Sequence, residues 1–393
     1  MKICIVSHEY PPNMGSGVGT GLKNLVDGLL ESGHKVTVIT PLLRGGAAHE
    51  KIGSLEIFRV KIPKLEMLKR LILVDRSILF GLFLKKFHEV DFGNFDILHI
   101  YDAHDGYFLN KRIKKSVRVV ISVNEYYCYA TPFNPLKFPF KTSNFLQRYV
   151  HSMLTKIFNT RLIKKADFII TNTMYTKDVL RDKIGIPEMK MKVIYRGLVT
   201  ENFTVSKNKY ESLKILYIGN NMERKGVKYL LLAMPEIKKV FPGARLTAIG
   251  HGDSTSKRKL HKIVKKHNLC ECVKFIDYAP PEDIRKYYSE SNVFVLPAVI
   301  ENLAVVLLEA MASGTPVVCT HVGANAEAIT EKTGIFVRPC SSKEISRAII
   351  RIFSDKEMAR RMGAEGIRRV NEKFSKNIMV NEVLGVYRKI RKT

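Results

Sequence analysis

The chain has 393 residues, 46% of them hydrophobic and 26% charged, a globular composition long enough for about two domains. That excludes a disordered tail, a collagen and a disulfide-stapled mini-domain, since the six cysteines (4, 128, 270, 272, 319 and 340) are scattered and Cys270 and Cys272 form a lone C-x-C. A formal net charge of +28 departs from a bland enzyme and points to an anionic partner: nucleic acid, an anionic membrane surface or an acidic substrate.

The opening MKICIVSHEY reads as a buried strand and not as a secretion leader. The apolar stretch 71–84 is broken by Asp75 and Arg76 and is too short to span a bilayer, so a cytoplasmic protein is expected. Strand 2–7 leads into GSGVGTG at 15–21 and then a helix with Leu22, Leu25, Val26, Leu29 and Leu30 at helical spacing. Gly33 is placed to end that helix, and 35–40 is the next strand, completing a βαβ unit. Further strands are predicted at 55–60, 96–100, 117–123, 167–171 and 192–195.

Residues 197–212 are polar, lack apolar periodicity and read as a linker. The alternation then restarts: strand 213–218, helix 227–240, strands 245–249, 273–276 and 293–296, a helix from about 303 to 313, and strands 316–320 and 335–337. The last stretch, 342–393, is helical and basic. Strands alternating with helices predict parallel sheets covered on both faces. The expected organisation is two doubly wound domains, 1–196 and 197–375, with a C-terminal helix at 376–393 returning toward the first. In such sheets ligands sit beyond the carboxyl ends of the strands, so two facing domains predict a site in the cleft between them.

Several loops carry residues suited to chemistry. The glycines of 15–21 allow close backbone approach, and the helix start after them offers free N–H groups to an anion. The loop is neither a G-x-G-x-x-G fingerprint nor a P-loop, because the glycine register fails and the chain has no Gly-Lys dipeptide. Lys225, in the loop after strand 213–218, can present a point charge to a phosphate, and Gly250-His251-Gly252-Asp253 is a similar loop. In PAVIENLAVVLLEAMASGTPVVCT, at 297–320, Glu301 stands in the loop before a helix and Glu309 lies within that apolar helix. A helix N-terminus beside a carboxylate suits phosphate on its amides and hydroxyls on its acid. Glu309, among Leu303, Val306, Leu307, Ala310 and Met311, needs a partner or a ligand hydroxyl. His99, Asp102, His104 and Asp105 end the fourth N-terminal strand, where each reads equally well as an acceptor contact or a turn residue.

Glu301 and Glu309 form an E-x7-E element, and with it the chain resembles the family-4 retaining glycosyltransferases of GT-B fold. The likeness runs through EYPPNMGSG (9–17), GHKVTVIT (33–40), FDILHIYD (95–102), ADFIITNT (166–173) and KVIYRGL (192–198). It continues through ERKGVKYLLLAM (223–234), AIGHGDS (248–254), VKFIDYAPPEDI (273–284), the 291–318 stretch and HVGANAEAI (321–329). The resemblance implies two Rossmann-like domains, the second holding a nucleotide-sugar donor such as a UDP- or GDP-sugar and the first the acceptor. It implies no metal and no cofactor. Lys225 then contacts the diphosphate, Glu301 the sugar hydroxyls and Glu309 the ribose. Backbone amides of Asn302, Leu303, Ala304 and Val305 face sugar and phosphate, with Gly250 nearby. Gly15 and Gly17 approach the phosphates from the other domain. Glu301 and Lys225 are the catalytic candidates, and the acceptor side falls to His99, Asp102, His104 and Asn124. The family retains anomeric configuration, with the leaving phosphate oxygen taking the acceptor proton.

The chain also departs from the family pattern. Asn220 stands where a diphosphate cation is usual, with Arg224 a substitute, and Asn124, followed by Glu125, replaces a histidine. Leu303 and Ala304 replace the Phe-Gly of E-x-F-G. Asn124 can hydrogen-bond but cannot serve as acid or base.

The reading that follows is a hexosyltransferase adding a sugar to a lipid-linked or surface-glycan acceptor in polysaccharide biosynthesis. Residues 106–166 carry twelve Lys/Arg against the single acid Glu125, a field suited to a peripheral place on an anionic membrane, with no nucleic acid expected. The run 64–87 mixes apolar and basic residues as an interfacial helix would, or packs on the sheet as a crossover helix. The alternatives are a non-transferring GT-B enzyme such as a nucleotide-sugar epimerase, and a polyanion-binding scaffold whose affinity collapses with salt and which needs neither Glu301 nor Glu309.

Overall fold

Strands and helices alternate along the chain and sort into two sheets, in a computed structural model that describes residues 1–13, 17–42, 46–62, 76–85, 87–106, 109, 116–124, 159–220, 222 and 224–391. Two units result: Met1–Gly197 with Lys376–Thr393, and Leu198–Ser375.

In the first unit, β1 (Lys2–Val6), β2 (Lys35–Leu42), β3 (His49–Ile52), β4 (Leu55–Lys61), β5 (Ile97–Ile100), β6 (Arg118–Val123), β7 (Phe168–Thr171) and β8 (Met191–Val193) lie in the order β3-β4-β2-β1-β5-β6-β7-β8. All pairs are parallel except β3 with β4. The antiparallel β3 escapes sequence reading because HEKI is polar and mostly exposed, so it shows neither burial nor alternation. The two-residue period of β1 sends Ile3 and Ile5 to one face and Cys4 and Val6 to the other, each set into its own core. The Ile3 face is covered by α1 (Gly17–Glu31) and the C-terminal helix, the Cys4 face by α2 (Arg76–Leu84) and its neighbours. Phe80 and Leu84 of α2 are fully buried, so this part of 64–87 packs on the sheet; 64–75 lies outside the described residues. Most of the basic segment 106–166 also lies outside them.

After the short α3 (Met174–Val179) the second unit forms a wholly parallel sheet from β9 (Lys214–Ile218), β10 (Arg245–Ile249), β11 (Val273–Ile276), β12 (Val293–Leu296), β13 (Val317–Thr320) and β14 (Gly334–Val337), in the order β11-β10-β9-β12-β13-β14. Its helices are α4 (Val227–Val240), α5 (Ser254–Lys266), α6 (Pro281–Glu290), α7 (Val305–Ala312), α8 (Asn325–Ala328), α9 (Ser342–Ser354) and α10 (Lys356–Lys373). Local chemistry sets their starts. Asp253 caps α5 by accepting from the Thr255 and Ser256 amides, Pro281 opens α6, and Ser341 caps α9 at Glu344. The last helix, α11 (Lys376–Arg391), belongs to the first unit and crosses α1 at Gly28, where a Cβ would stand 2.3 Å from Val380 Cγ2.

The stretch 197–212 is more than a polar linker. Leu198 pairs with Ser375, Phe203 packs edge-on to Tyr288, and Lys209 is buried, so this stretch is built into the second unit. Its apolar anchors are too few and too widely spaced to register as periodicity. The strand order reverses at β1/β5 in the first sheet and at β9/β12 in the second, the places where open α/β sheets receive ligands.

Candidate active site

At the β9/β12 reversal the loops after the two strands interlock. Gly226 starts α4 with φ 73°, and a Cβ there would lie 1.9 Å from the Pro297 carbonyl oxygen. This close approach lets Val299 N donate to Arg224 O at 2.9 Å, bringing Arg224 and Lys225 over the loop that carries Glu301. Gly226→Ala should therefore destabilise the protein by about 2 kcal/mol or more, through both strain and clash. Urea denaturation checks this, and an unchanged midpoint would mean that the loop contact is not needed.

Lys225 Nζ forms an ion pair with Glu301 Oε2, and Arg224 Nη1 donates to Ile300 O at 3.0 Å while standing 3.5 Å from the same carboxylate oxygen. Glu301 is 7% exposed. Burial lowers the Lys225 pKa by more than the Glu301 carboxylate raises it. Two cations against one carboxylate, next to a helix start, make a locally positive site suited to an anion that carries hydroxyls.

The structure corrects the helix start. The segment expected to be helical from Asn302 or Leu303 begins its helix at Val305, with Ala304 extended at φ −79° and ψ 119°. Residues 301–304 are held by the 321–324 turn, where Ala324 N donates to Asn302 O at 3.0 Å. Leu303 and Ala304 are buried, and the Asn302 amide, expected to face sugar and phosphate, instead donates to Glu301 Oε1 at 3.2 Å. Asn220, which stands where a diphosphate cation is usual, braces the neighbouring loop: its Oδ1 accepts from His251 N at 2.9 Å. Gly250, at φ 145°, allows that contact, because a Cβ there would fall 2.2 Å from Gly219 O. Glu309 is half-buried on α7 and accepts from the Tyr288 hydroxyl at 2.9 Å. Its pKa is raised by burial, against the Tyr288 hydrogen bond and the charge of Arg285.

At the β1/β5 reversal stands a second cluster that sequence reading found only in part. Asp105 is fully buried and accepts from His8 at both the backbone N, 3.0 Å, and Nδ1, 2.9 Å. His104 Nδ1 donates to Asp102 Oδ1 at 2.6 Å. Burial by itself would lower the His8 imidazole, yet Asp105 and Asp102 outweigh it and hold the pKa near 10. Burial likewise would raise the Asp102 carboxyl, but His104, with His8 behind it, brings it to about 2. The signal for His8 was its place at the end of β1, since a polar residue just past a buried strand faces the carboxyl edge.

The structure places the other candidates of this unit as follows. His99 points into the core, with Nδ1 2.6 Å from Tyr387 Oη and Nε2 2.8 Å from Ser122 Oγ. Burial pushes its pKa to about 3, so it is a neutral core residue and leaves the acceptor-side set. Asn124, 6% exposed, donates to Tyr101 O at 2.6 Å and accepts from Arg196 Nη2 at 3.2 Å, which makes it part of the scaffold. Gly17 opens α1, where Gly19 N donates to Glu9 Oε2 at 2.9 Å; Gly15 lies outside the described residues.

Among the described residues, no group of three His, Cys, Asp or Glu side chains could hold a metal ion, and no helix is long and apolar enough to cross a membrane.

These sites lie on a chain whose relatives are recognisable. The family described as Glycosyltransferase Family 4 matches residues 15–202, and that described as Glycosyl transferases group 1 matches 199–369. An uncharacterized glycosyltransferase of Methanocaldococcus jannaschii is 27% identical over 99% of this chain and 98% of its own. The sucrose-phosphate synthase of Thermosynechococcus elongatus superposes with a TM-score of 0.81 at 21% identity, covering 99% of each chain. HepE of Anabaena, solved with UDP-glucose, does so with a TM-score of 0.72 at 14% identity, over 99% of this chain and 100% of that one. Two Rossmann-like sheets, an E-x7-E element on the second, and both halves matched in order leave one assignment: the chain belongs to the family-4 glycosyltransferases and has their GT-B fold.

Proposed function

We propose that the protein transfers a hexose from a nucleotide sugar, a UDP- or GDP-sugar, to a lipid-linked or surface-glycan acceptor, with retention of configuration, no metal and no cofactor. The observation that carries this reading is the Lys225–Glu301–Arg224 cluster at the β9/β12 reversal, beside the start of α7. Breaking a sugar–phosphate bond develops negative charge on the departing diphosphate. A fixed lysine and a nearby arginine stabilise that charge as it forms, without reorganisation. Glu301 exchanges part of its ion pairing for sugar hydroxyls, and Glu309 presents its Oε1, which makes no hydrogen bond among the described residues, to the ribose. A structural relative solved with UDP-glucose supports a nucleotide-sugar donor. The first unit takes the acceptor, with Asp102 and His104 at the carboxyl edge of β5 to meet its hydroxyls. A basic face resting on an anionic membrane and a role in polysaccharide biosynthesis complete the proposal.

Thermal unfolding against a panel of nucleotide sugars and bare nucleotides tests the donor side. A ligand that binds the folded state raises the midpoint, by about 2.7 kcal/mol of stability at a hundredfold excess over Kd. The expected result is a rise with one donor class that is lost in Glu309→Ala. A panel with no rise at all would overturn the donor assignment.

A further inference from the structure

Tyr288 lies on α6, outside the E-x7-E element, and its ring is fully buried between Phe203 and Phe294. Its hydroxyl reaches α7 at two points one turn apart, 3.3 Å from the Val306 carbonyl oxygen and 2.9 Å from Glu309 Oε2. A buried phenol can donate one proton, and the carboxylate is the nearer and more strongly polarised acceptor. The bond uses Oε2 and leaves Oε1 available. The backbone beneath Tyr288 is itself anchored, because its carbonyl accepts from the buried Lys209 ammonium at 2.8 Å. The donor is thus held at both ends, by ring packing and by its main chain, while the glutamate it grips is half-buried.

We propose that Tyr288 is a positioning residue for Glu309, holding the carboxylate ionised and aimed so that its second oxygen meets the ribose hydroxyls of the donor. This rests on the reading of Glu309 as the ribose contact. The charged and titratable groups acting on Glu309 are Tyr288 and Arg285, both from α6, and the hydrogen bond from Tyr288 opposes the effect of burial. Losing that bond leaves a carboxyl in a desolvated place with one fewer reason to ionise.

The experiment measures binding of UDP and GDP, and of their 2′-deoxy and 3′-deoxy forms, by the full-length protein between pH 4 and 8. It compares wild type, Tyr288→Phe, Glu309→Gln and the double variant. Wild type should prefer at least one ribonucleotide over its deoxy form by about tenfold, the size of one hydrogen bond to a charged group. Tyr288→Phe keeps the ring and its packing. It should lose most of that preference and move the acidic limb of binding upward by on the order of one pH unit. In the Glu309→Gln background the same substitution should move neither. A wild type that does not distinguish ribose from deoxyribose overturns the ribose assignment of Glu309, and this proposal with it. A wild type that does, with Tyr288→Phe unchanged in both preference and limb, overturns the positioning role alone. An equal loss from Tyr288→Phe in both backgrounds shows a packing role and also overturns it.

Discussion

Lys225→Ala should lower kcat/KM by about 100-fold or more while the protein remains folded, because it removes the charge placed to meet the developing diphosphate. The ammonium is held in place by the turn at Gly226 and by the Val299–Arg224 backbone bond, so its position is set before any donor arrives. Two effects need separating. The substitution also leaves Glu301, 7% exposed, without its ion-pair partner, and an uncompensated buried carboxylate destabilises the fold. Arg224, 3.5 Å from the same oxygen, offsets part of that loss. The double variant Lys225→Met/Glu301→Gln removes both charges together. It should recover the thermal midpoint while recovering none of the activity. Steady-state kinetics and a thermal melt on the same preparations decide the matter. Full activity in Lys225→Ala would remove Lys225 from the mechanism, and activity restored in the double variant would show that the single substitution acted only through stability.

Lys209→Ala should be the most destabilising single substitution of an ionisable residue in the second unit, at about 3 kcal/mol. The side chain is 1% exposed and its ammonium donates to Tyr288 O at 2.8 Å, Ser313 O at 2.5 Å and Thr315 Oγ1 at 2.7 Å. Removing it leaves the Ser313 carbonyl at the end of α7 without its ammonium donor, and leaves the Tyr288 carbonyl at the end of α6 to the Thr315 hydroxyl, 3.0 Å away, in a space too apolar to solvate them. A loss below about 1 kcal/mol in chemical denaturation would contradict this account. A pH signature accompanies it. Burial lowers the Lys209 pKa from 10.5 to about 7. Between those values the unfolded chain binds more protons than the folded one, so the group adds stability as pH rises through that window and none below it. Lys209→Met has no such titration. The wild-type midpoint should therefore climb relative to Lys209→Met from pH 7 toward pH 10, and parallel profiles would show that the ammonium does not titrate in the fold.

Both lysines show how unevenly the site is written in the chain. Glu301 stands out locally, in a loop just past a buried strand and before an apolar helix, whereas Lys225 taken alone reads as a solvated lysine at a helix start and gains its role from the family resemblance. The β10, β11 and β12 strands and the α4 helix are read at their observed ends, because dense β-branched runs and an unbroken apolar stripe leave little room for error. Lys209 gave no such signal. It sits in a polar stretch, and its acceptors arrive from 79 to 106 residues away. The α7 start was misread for a related reason: NLA at 302–304 is apolar enough to continue a helix, and only the 321–324 turn holds it extended.

The sequence by itself determined the class of fold, the strand–helix alternation of both halves apart from the antiparallel β3, the family, and the loops in which chemistry is placed. Those features follow from short-range periodicity and from motifs that are contiguous in the chain. Only the tertiary structure decided which polar groups are partners. It paired Lys225 with Glu301 across 76 residues and His8 with Asp105 across 97, turned His99 and Asn124 into scaffold, and gave Glu309 its hydroxyl from Tyr288. The reason is sheet order. Strands distant in sequence become neighbours at the β1/β5 and β9/β12 reversals, and desolvation there favours polar pairings that no local pattern records.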